Sequence, residues 1–115
     1  MIFAHRGACA LAPENTLPSF ELALAHNADA IELDTKLSKD EVVMVIHDQT
    51  VDRTTNGKGK VSDLTLRELK QLDAGSFFGQ EFSGVKIPTL DEVFESVGKQ
   101  LTVNVELTNY KSKHD

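Results

Sequence analysis

Ala30-Ile31-Glu32-Leu33-Asp34-Thr35 alternates apolar and acidic side chains with a period of two, the pattern of a β-strand with one buried and one polar face. Ile31 and Leu33 fall on one side. Glu32 and Asp34 fall on the other, their Cα atoms roughly 6.5 Å apart, so that both carboxylates can reach one cation. Upstream, the apolar run Ile2 to His5 reads as a first strand. Asn15 then reads as the N-cap of a helix running to about His26, with Leu17, Phe20, Leu22 and Leu24 as its apolar contacts and Pro18 in its first turn. Downstream, Glu41 to Ile46 reads as a valine-rich third strand and Leu101 to about Leu107 as a fourth.

Strands alternating with amphipathic stretches predict an α/β protein rather than a sandwich or a helical bundle. Between about residues 51 and 86 the chain departs from that rhythm. It carries a polar stretch, Thr54 to Gly59, then a short helix announced by the capping-box spacing of Thr65 and Glu68, then a loop, Gly75 to Gly79, holding two aromatics expected to be partly buried. Gly57-Lys58-Gly59 lacks the spacing of a phosphate-binding P-loop. Thr89 and Glu92 repeat the capping-box spacing ahead of a helix with Leu90, Val93, Phe94 and Val97, and Gly98 is its expected stop. The tail, residues 111–115, is polar.

Candidate chemistry stands at the strand ends. His5 closes the first run, Glu32 and Asp34 lie towards the end of the second, His47 closes the third, and Glu106 lies near the end of the fourth. In a parallel α/β sheet those ends share one face, so residues far apart in sequence converge there. Alternation puts Asn104 and Glu106 on one face of the last strand and Val103 and Val105 on the other. Three carboxylates without a cysteine cluster suit a hard, oxygen-seeking ion, Ca²⁺ or Mg²⁺, rather than structural zinc. Taken singly, His5 or His47 reads as a satisfied core residue, His26 and His114 read as surface residues, and each acid reads as a solvated edge; the joint placement of His5, His47 and the acids is what points to a site.

The 115 residues are 40% hydrophobic and 26% charged, with a formal net charge of -6, which bounds the chain to one compact globular unit and argues against a nucleic-acid-binding face. The lone Cys9 excludes an internal disulfide framework and fits a reducing compartment. Ile2-Phe3-Ala4 is too short for a signal-peptide core or a membrane span. The cytoplasm is therefore expected, with export left open if residues precede Met1.

Several of these stretches resemble glycerophosphodiester phosphodiesterases: His5-Arg6-Gly7 followed by Pro13-Glu14-Asn15-Thr16, Glu32-Leu33-Asp34, His47-Asp48, Arg53-Thr54, Ile87-Pro88-Thr89-Leu90 and Asn104-Val105-Glu106, in the family's order and approximate spacing. The resemblance implies a (β/α)₈ TIM barrel with a small insertion at about 51–86, residues 1–115 being its N-terminal, roughly half, part. It implies metal-dependent hydrolysis of small-molecule glycerophosphodiesters to an alcohol and glycerol 3-phosphate through a cyclic phosphate. His5 and His47 are then the catalytic acid and base, Arg6 a substrate phosphate contact, and Glu32, Asp34 and Glu106 the ligands of one divalent cation. A sphingomyelinase D-like activity on the same architecture, and a non-catalytic remnant or interaction module, are the alternatives. Many members carry a lysine two positions beyond the third carboxylate, where this chain has Thr108.

A complete barrel takes about 250 residues, more than twice this length. The chain alone is expected to expose sheet edges and to strip cover from Val43, Val45, Val103 and Val105. Sedimentation of the 115 residues over a concentration range should show self-association; a soluble, cooperatively folded monomer would contradict that expectation.

Overall fold

In a computed structural model, which describes residues 2–107, the sheet is organised around β2 (Ala30–Leu37). β1 (Phe3–His5) pairs with it in parallel, Phe3 opposite Ala30 and His5 opposite Glu32. β4 (Thr102–Leu107) is also parallel to β2, with Glu32 opposite Asn104 and Asp34 opposite Glu106. β3 (Val43–Val45) runs antiparallel, Thr35 opposite Val45 and Leu37 opposite Val43.

The direction of β3 corrects the expectation of an all-parallel arrangement. Residues 38–42, the link between β2 and β3, are too few for a parallel crossover, which needs a dozen or more. The link is a tight turn instead: Ser38 N donates to Val42 O at 3.0 Å, Val42 N donates to Ser38 Oγ at 2.9 Å, and Glu41 takes a left-handed φ of 65°. β2 is correspondingly longer than its alternating core, and β3 starts later than Glu41. Backbone geometry shows that β1 and β3 lie on one edge of β2. Arg6 N donates to Glu32 O at 2.6 Å and Ile46 N donates to Asp34 O at 3.0 Å, and carbonyls two residues apart on a strand point to the same side. The C-terminal ends of β1 and β3 thus meet head-on along that edge.

Two helices cover one face of the sheet. α1 (Leu17–Ala25) has Thr16, not Asn15, at its N-cap. Asn15 lies one residue before the cap at a left-handed φ of 57°, not the extended backbone an N-cap takes, and its side-chain amide donates to Asp34, 3.1 Å away. α3 (Leu90–Val97) begins with the expected reciprocal bonds, Thr89 N to Glu92 Oε1 at 2.8 Å and Glu92 N to Thr89 Oγ1 at 3.1 Å, and Gly98 follows it as the C-cap. Phe20, Ala23, Val93 and Val97 from these helices pack with Ile31, Leu33, Val45 and Leu101 into one buried cluster. Val45 is fully covered, contrary to expectation, because it packs into this cluster; Val43, Val103 and Val105 are half-buried.

Met44, Ile46, Val51, Val61, Leu69, Ala74 and Ile87 form a second buried cluster beneath the segment that follows β3. That segment holds α2 (Leu66–Leu69), capped by Thr65 and Glu68 as expected, and returns so that Val45 N donates to Pro88 O at 2.9 Å. Its far loop is organised by Asp73, whose carboxylate accepts from Gly75 N, Ser76 N, Ser76 Oγ and Gly84 N at 2.7–3.1 Å. These bonds hold the carboxyl well below the usual carboxylate range. With the loop fixed through its backbone, Phe77 and Phe78 stay 43% and 38% exposed rather than partly buried. No helix among the described residues is long and apolar enough to cross a membrane. Thr108 and the polar tail lie outside the described residues.

Phe20 is 0% exposed and central to the first cluster. Phe20→Ala should lower unfolding free energy by about 3–5 kcal/mol, read as a shift in urea midpoint; a shift worth under about 1 kcal/mol would show that the cluster does not organise the sheet.

Candidate active site

The sheet face away from α1 and α3 carries the polar side chains. Register places His5, Glu32 and Asn104 in one row across β1, β2 and β4, and Asp34 and Glu106 in the next row. Facing side chains in adjacent rows of an in-register sheet are neighbours. Here they line a cleft of about 140 Å³. His5, Glu32, Asp34 and Glu106, singled out from the sequence, are therefore brought together.

Asp34 is the most confined of the acids, at 7% exposed. Its Oδ2 accepts from Asn15 Nδ2 at 3.1 Å and faces Arg6 Nε at 3.4 Å. Arg6 reaches the cleft in this way, from a turn in which Arg6 and Gly7 both have left-handed φ, 57° and 78°. Glycine is required at position 7, since a Cβ there would collide with Ser19 Oγ and the Phe20 ring.

His47 stands apart from the other four. It lines an adjoining small cleft with Glu14, Asn15, Thr54 and Ile87, and Asn15 connects the two clefts through its bond to Asp34. The antiparallel course of β3, not a parallel strand end, delivers His47 to this level. Its Nδ1 lies 2.8 Å from Asp48 Oδ1, a pairing with a carboxylate that places the ring proton on Nδ1.

Several participants were missed as site residues. Asn15 looked like a helix cap, whereas Glu14, Asp48 and Arg53 were visible only as parts of motifs. Arg53 donates to Asp48 through Nε at 2.9 Å and to Glu14 through Nη1 and Nη2 at 3.0 and 2.9 Å. The two carboxylates raise its pKa further, Glu14 most. Lys36, two residues beyond Asp34 on the same face, is only 3% exposed. Burial pushes its ammonium pKa down, and the charges of Asp34, Asp48 and Glu106 oppose that push. A cation is thus built in among the acids.

Among the described residues, no three His, Cys, Asp or Glu side chains converge tightly enough to cage a metal as they stand. Glu32 and Glu106 are exposed on the cleft face, however, and Asn15 Oδ1 is a buried acceptor without a hydrogen-bond donor. An all-oxygen set with an unsatisfied acceptor beside it fits a hard cation or its bound water.

The family model for the glycerophosphoryl diester phosphodiesterase family matches residues 5–115. The chain is 55% identical over 108 residues to a glycerophosphodiester phosphodiesterase of Caldanaerobacter subterraneus subsp. tengcongensis, covering 93% of this chain and 44% of that protein. It is 45% identical over 111 residues to one from Bacillus subtilis strain 168, covering 90% and 38%. Among solved structures, an Oleispira antarctica phosphodiesterase in complex with the product sn-glycerol-3-phosphate superposes with a TM-score of 0.91 at 43% identity, covering 94% of this chain and 44% of that one. A glycerophosphodiester phosphodiesterase from Agrobacterium tumefaciens gives 0.90 at 47%, covering 92% and 46%. The chain thus spans less than half the length of these relatives, and its fold is the matching part of their TIM barrel.

Asp48 gives the site a pH signature. Hydrogen bonds from Arg53, then from His47, outweigh desolvation and lower its carboxyl from 3.8 to about 2. A lowered folded-state pKa stabilises the fold fully above the unfolded value; the contribution shrinks below that value and is gone once pH falls through about 2. Unfolding free energy measured from pH 5 to 2 should fall less steeply in Asp48→Asn than in the parent. Parallel curves would show that Asp48 gains nothing from its partners.

Proposed function

The chain belongs to the glycerophosphoryl diester phosphodiesterase family, and on that premise we propose that it carries the catalytic half of an enzyme that hydrolyses glycerophosphodiesters to an alcohol and glycerol 3-phosphate. The observation that supports this most is the two-row register: His5, Glu32 and Asn104, then Asp34 and Glu106, all lining one cleft. Residues 51–86 are read as the insertion of the barrel.

Glu32, Asp34 and Glu106 would hold one divalent cation, Ca²⁺ or Mg²⁺, with Asn15 Oδ1 close by. The ion would supply Lewis-acid neutralisation of charge developing on the phosphoryl oxygens. Arg6, which already reaches Asp34, would contact the phosphate, a match of planar guanidinium to oxyanion. One histidine takes the proton from a glycerol hydroxyl as that oxygen bonds to phosphorus. The other gives a proton to the departing alcohol as its P–O bond breaks. In the second step the roles exchange: water loses its proton, attacks the cyclic phosphate, and the reopened glycerol oxygen is protonated. His47, oriented by Asp48 through Nδ1, presents Nε2 for one of these transfers.

A non-catalytic remnant of the family is the second reading. It is favoured by the separation of His47 into the adjoining cleft. Self-association through the free edges of the sheet belongs with that reading.

Glycerol 3-phosphate release with added Ca²⁺ or Mg²⁺, measured in the protein that carries this sequence, should fall at least about a hundredfold in His47→Ala. Calorimetry should show Asp34→Asn losing about tenfold or more in cation affinity. Cation binding without turnover in the parent would favour the remnant; unchanged affinity in Asp34→Asn would remove Asp34 from the ligand set.

A further inference from the structure

His47 is oriented by Asp48, and Asp48 is held by a single guanidinium. Arg53 Nε donates to Asp48 Oδ2 at 2.9 Å and Nη2 to Asp48 Oδ1 at 3.1 Å. The adjacent edge of the same planar group, which shares Nη2, donates to Glu14, Nη1 to Oε1 at 3.0 Å and Nη2 to Oε2 at 2.9 Å. Each carboxylate is met by a two-pronged fork, a geometry that arginine provides and lysine does not. Glu14 lies 39 residues from Arg53 in sequence, so the guanidinium ties the loop after β1 to the loop after β3. Those strands end against each other on one edge of β2, where His5 and His47 emerge.

We infer that Arg53 and Glu14 form a positioning clamp for His47, holding Asp48 so that the imidazole keeps its proton on Nδ1 and offers Nε2 to the reaction. This rests on the acid/base role proposed for His47. Stability alone is a weak reason for the arrangement, because the Arg53 side chain is 48% exposed and exposed ion pairs contribute little. Orientation is a better one. A lone Asp48 carboxylate beside His47 can rotate and accept from either side, whereas one gripped at both oxygens presents a fixed lone pair to Nδ1. Glu14 fixes the guanidinium in turn, and its Oε2 also faces Arg6 Nη1 at 3.4 Å. The clamp therefore orders the proposed phosphate contact and the proposed proton carrier through one shared carboxylate.

The test uses the protein that carries this sequence, with Arg53→Met, Arg53→Lys and Glu14→Gln. In Arg53→Met, kcat should fall about tenfold to a hundredfold with KM within about twofold of the parent, the pattern of a lost orienting interaction rather than lost binding. Arg53→Lys should recover only part of kcat, since one ammonium cannot fork onto two carboxylates. Nitrogen-15 NMR of His47 should show the Nδ1-protonated tautomer in the parent and a mixture of tautomers in Arg53→Met. Should Arg53→Met fail to fold by circular dichroism, Glu14→Gln is read by the same two measurements. A kcat within about twofold of the parent, or an unchanged tautomer ratio, overturns the clamp. The tautomer measurement decides this even if the parent hydrolyses no glycerophosphodiester, an outcome that would sink the function proposed above instead.

Discussion

One edge of β2 has to serve two strands in succession. Its carbonyls at Glu32 and Asp34 are two residues apart and are taken by Arg6 N from one direction and Ile46 N from the other. Neither β1 nor β3, each three residues long, can extend at its C-terminal end along that edge without displacing the other. Both chains must leave the sheet abruptly at that point. After β1 the exit is the left-handed pair Arg6 and Gly7, with Gly7 pressed against Ser19 and Phe20; Arg6 O there accepts from Asn15 N and from Ser19 Oγ, tying the turn to the start of α1. The polar groups of the site stand where they do because two strands run out together.

That constraint explains what could be read in advance. Period-two alternation reports which face a side chain occupies, and Glu32, Asp34, Asn104 and Glu106 were placed by it. Capping boxes are local, and Thr65 with Glu68 and Thr89 with Glu92 were legible for that reason. Strand direction is not carried by alternation, so β3 was misread and the route that brings in His47 with it. Asn15 was misread because a cap and an acid-binding amide use the same residue type. The bonds from Arg53 to Glu14 left no periodic trace, since a pairing across 39 residues depends on tertiary geometry alone.

The chain is acidic overall, at -6, and the proposed substrate is an anion. The cations near the cleft are few and individually placed. Arg6 faces Asp34 and Glu14, Arg53 bridges Asp48 and Glu14, and Lys36 is buried where the charges of Asp34, Asp48 and Glu106 act on it. Alternating signs limit the repulsion that four acids would otherwise direct at a phosphate. Local arrangement, rather than net charge, sets the potential that an incoming ligand would meet.

The alternation in β2 also bears on how this sequence tolerates change. Ile31 and Leu33 fill the core while Glu32 and Asp34 face the cleft, so point substitutions on either face act on stability or on chemistry largely one at a time. Insertions and deletions have no such freedom. Losing a single residue inside β2 would turn carboxylates into the helix-covered layer and apolar side chains into the cleft in the same event. Lineages of this protein can therefore drift by substitution along the strand but are barred from drifting in its length, and alignment gaps should collect in the connections around it.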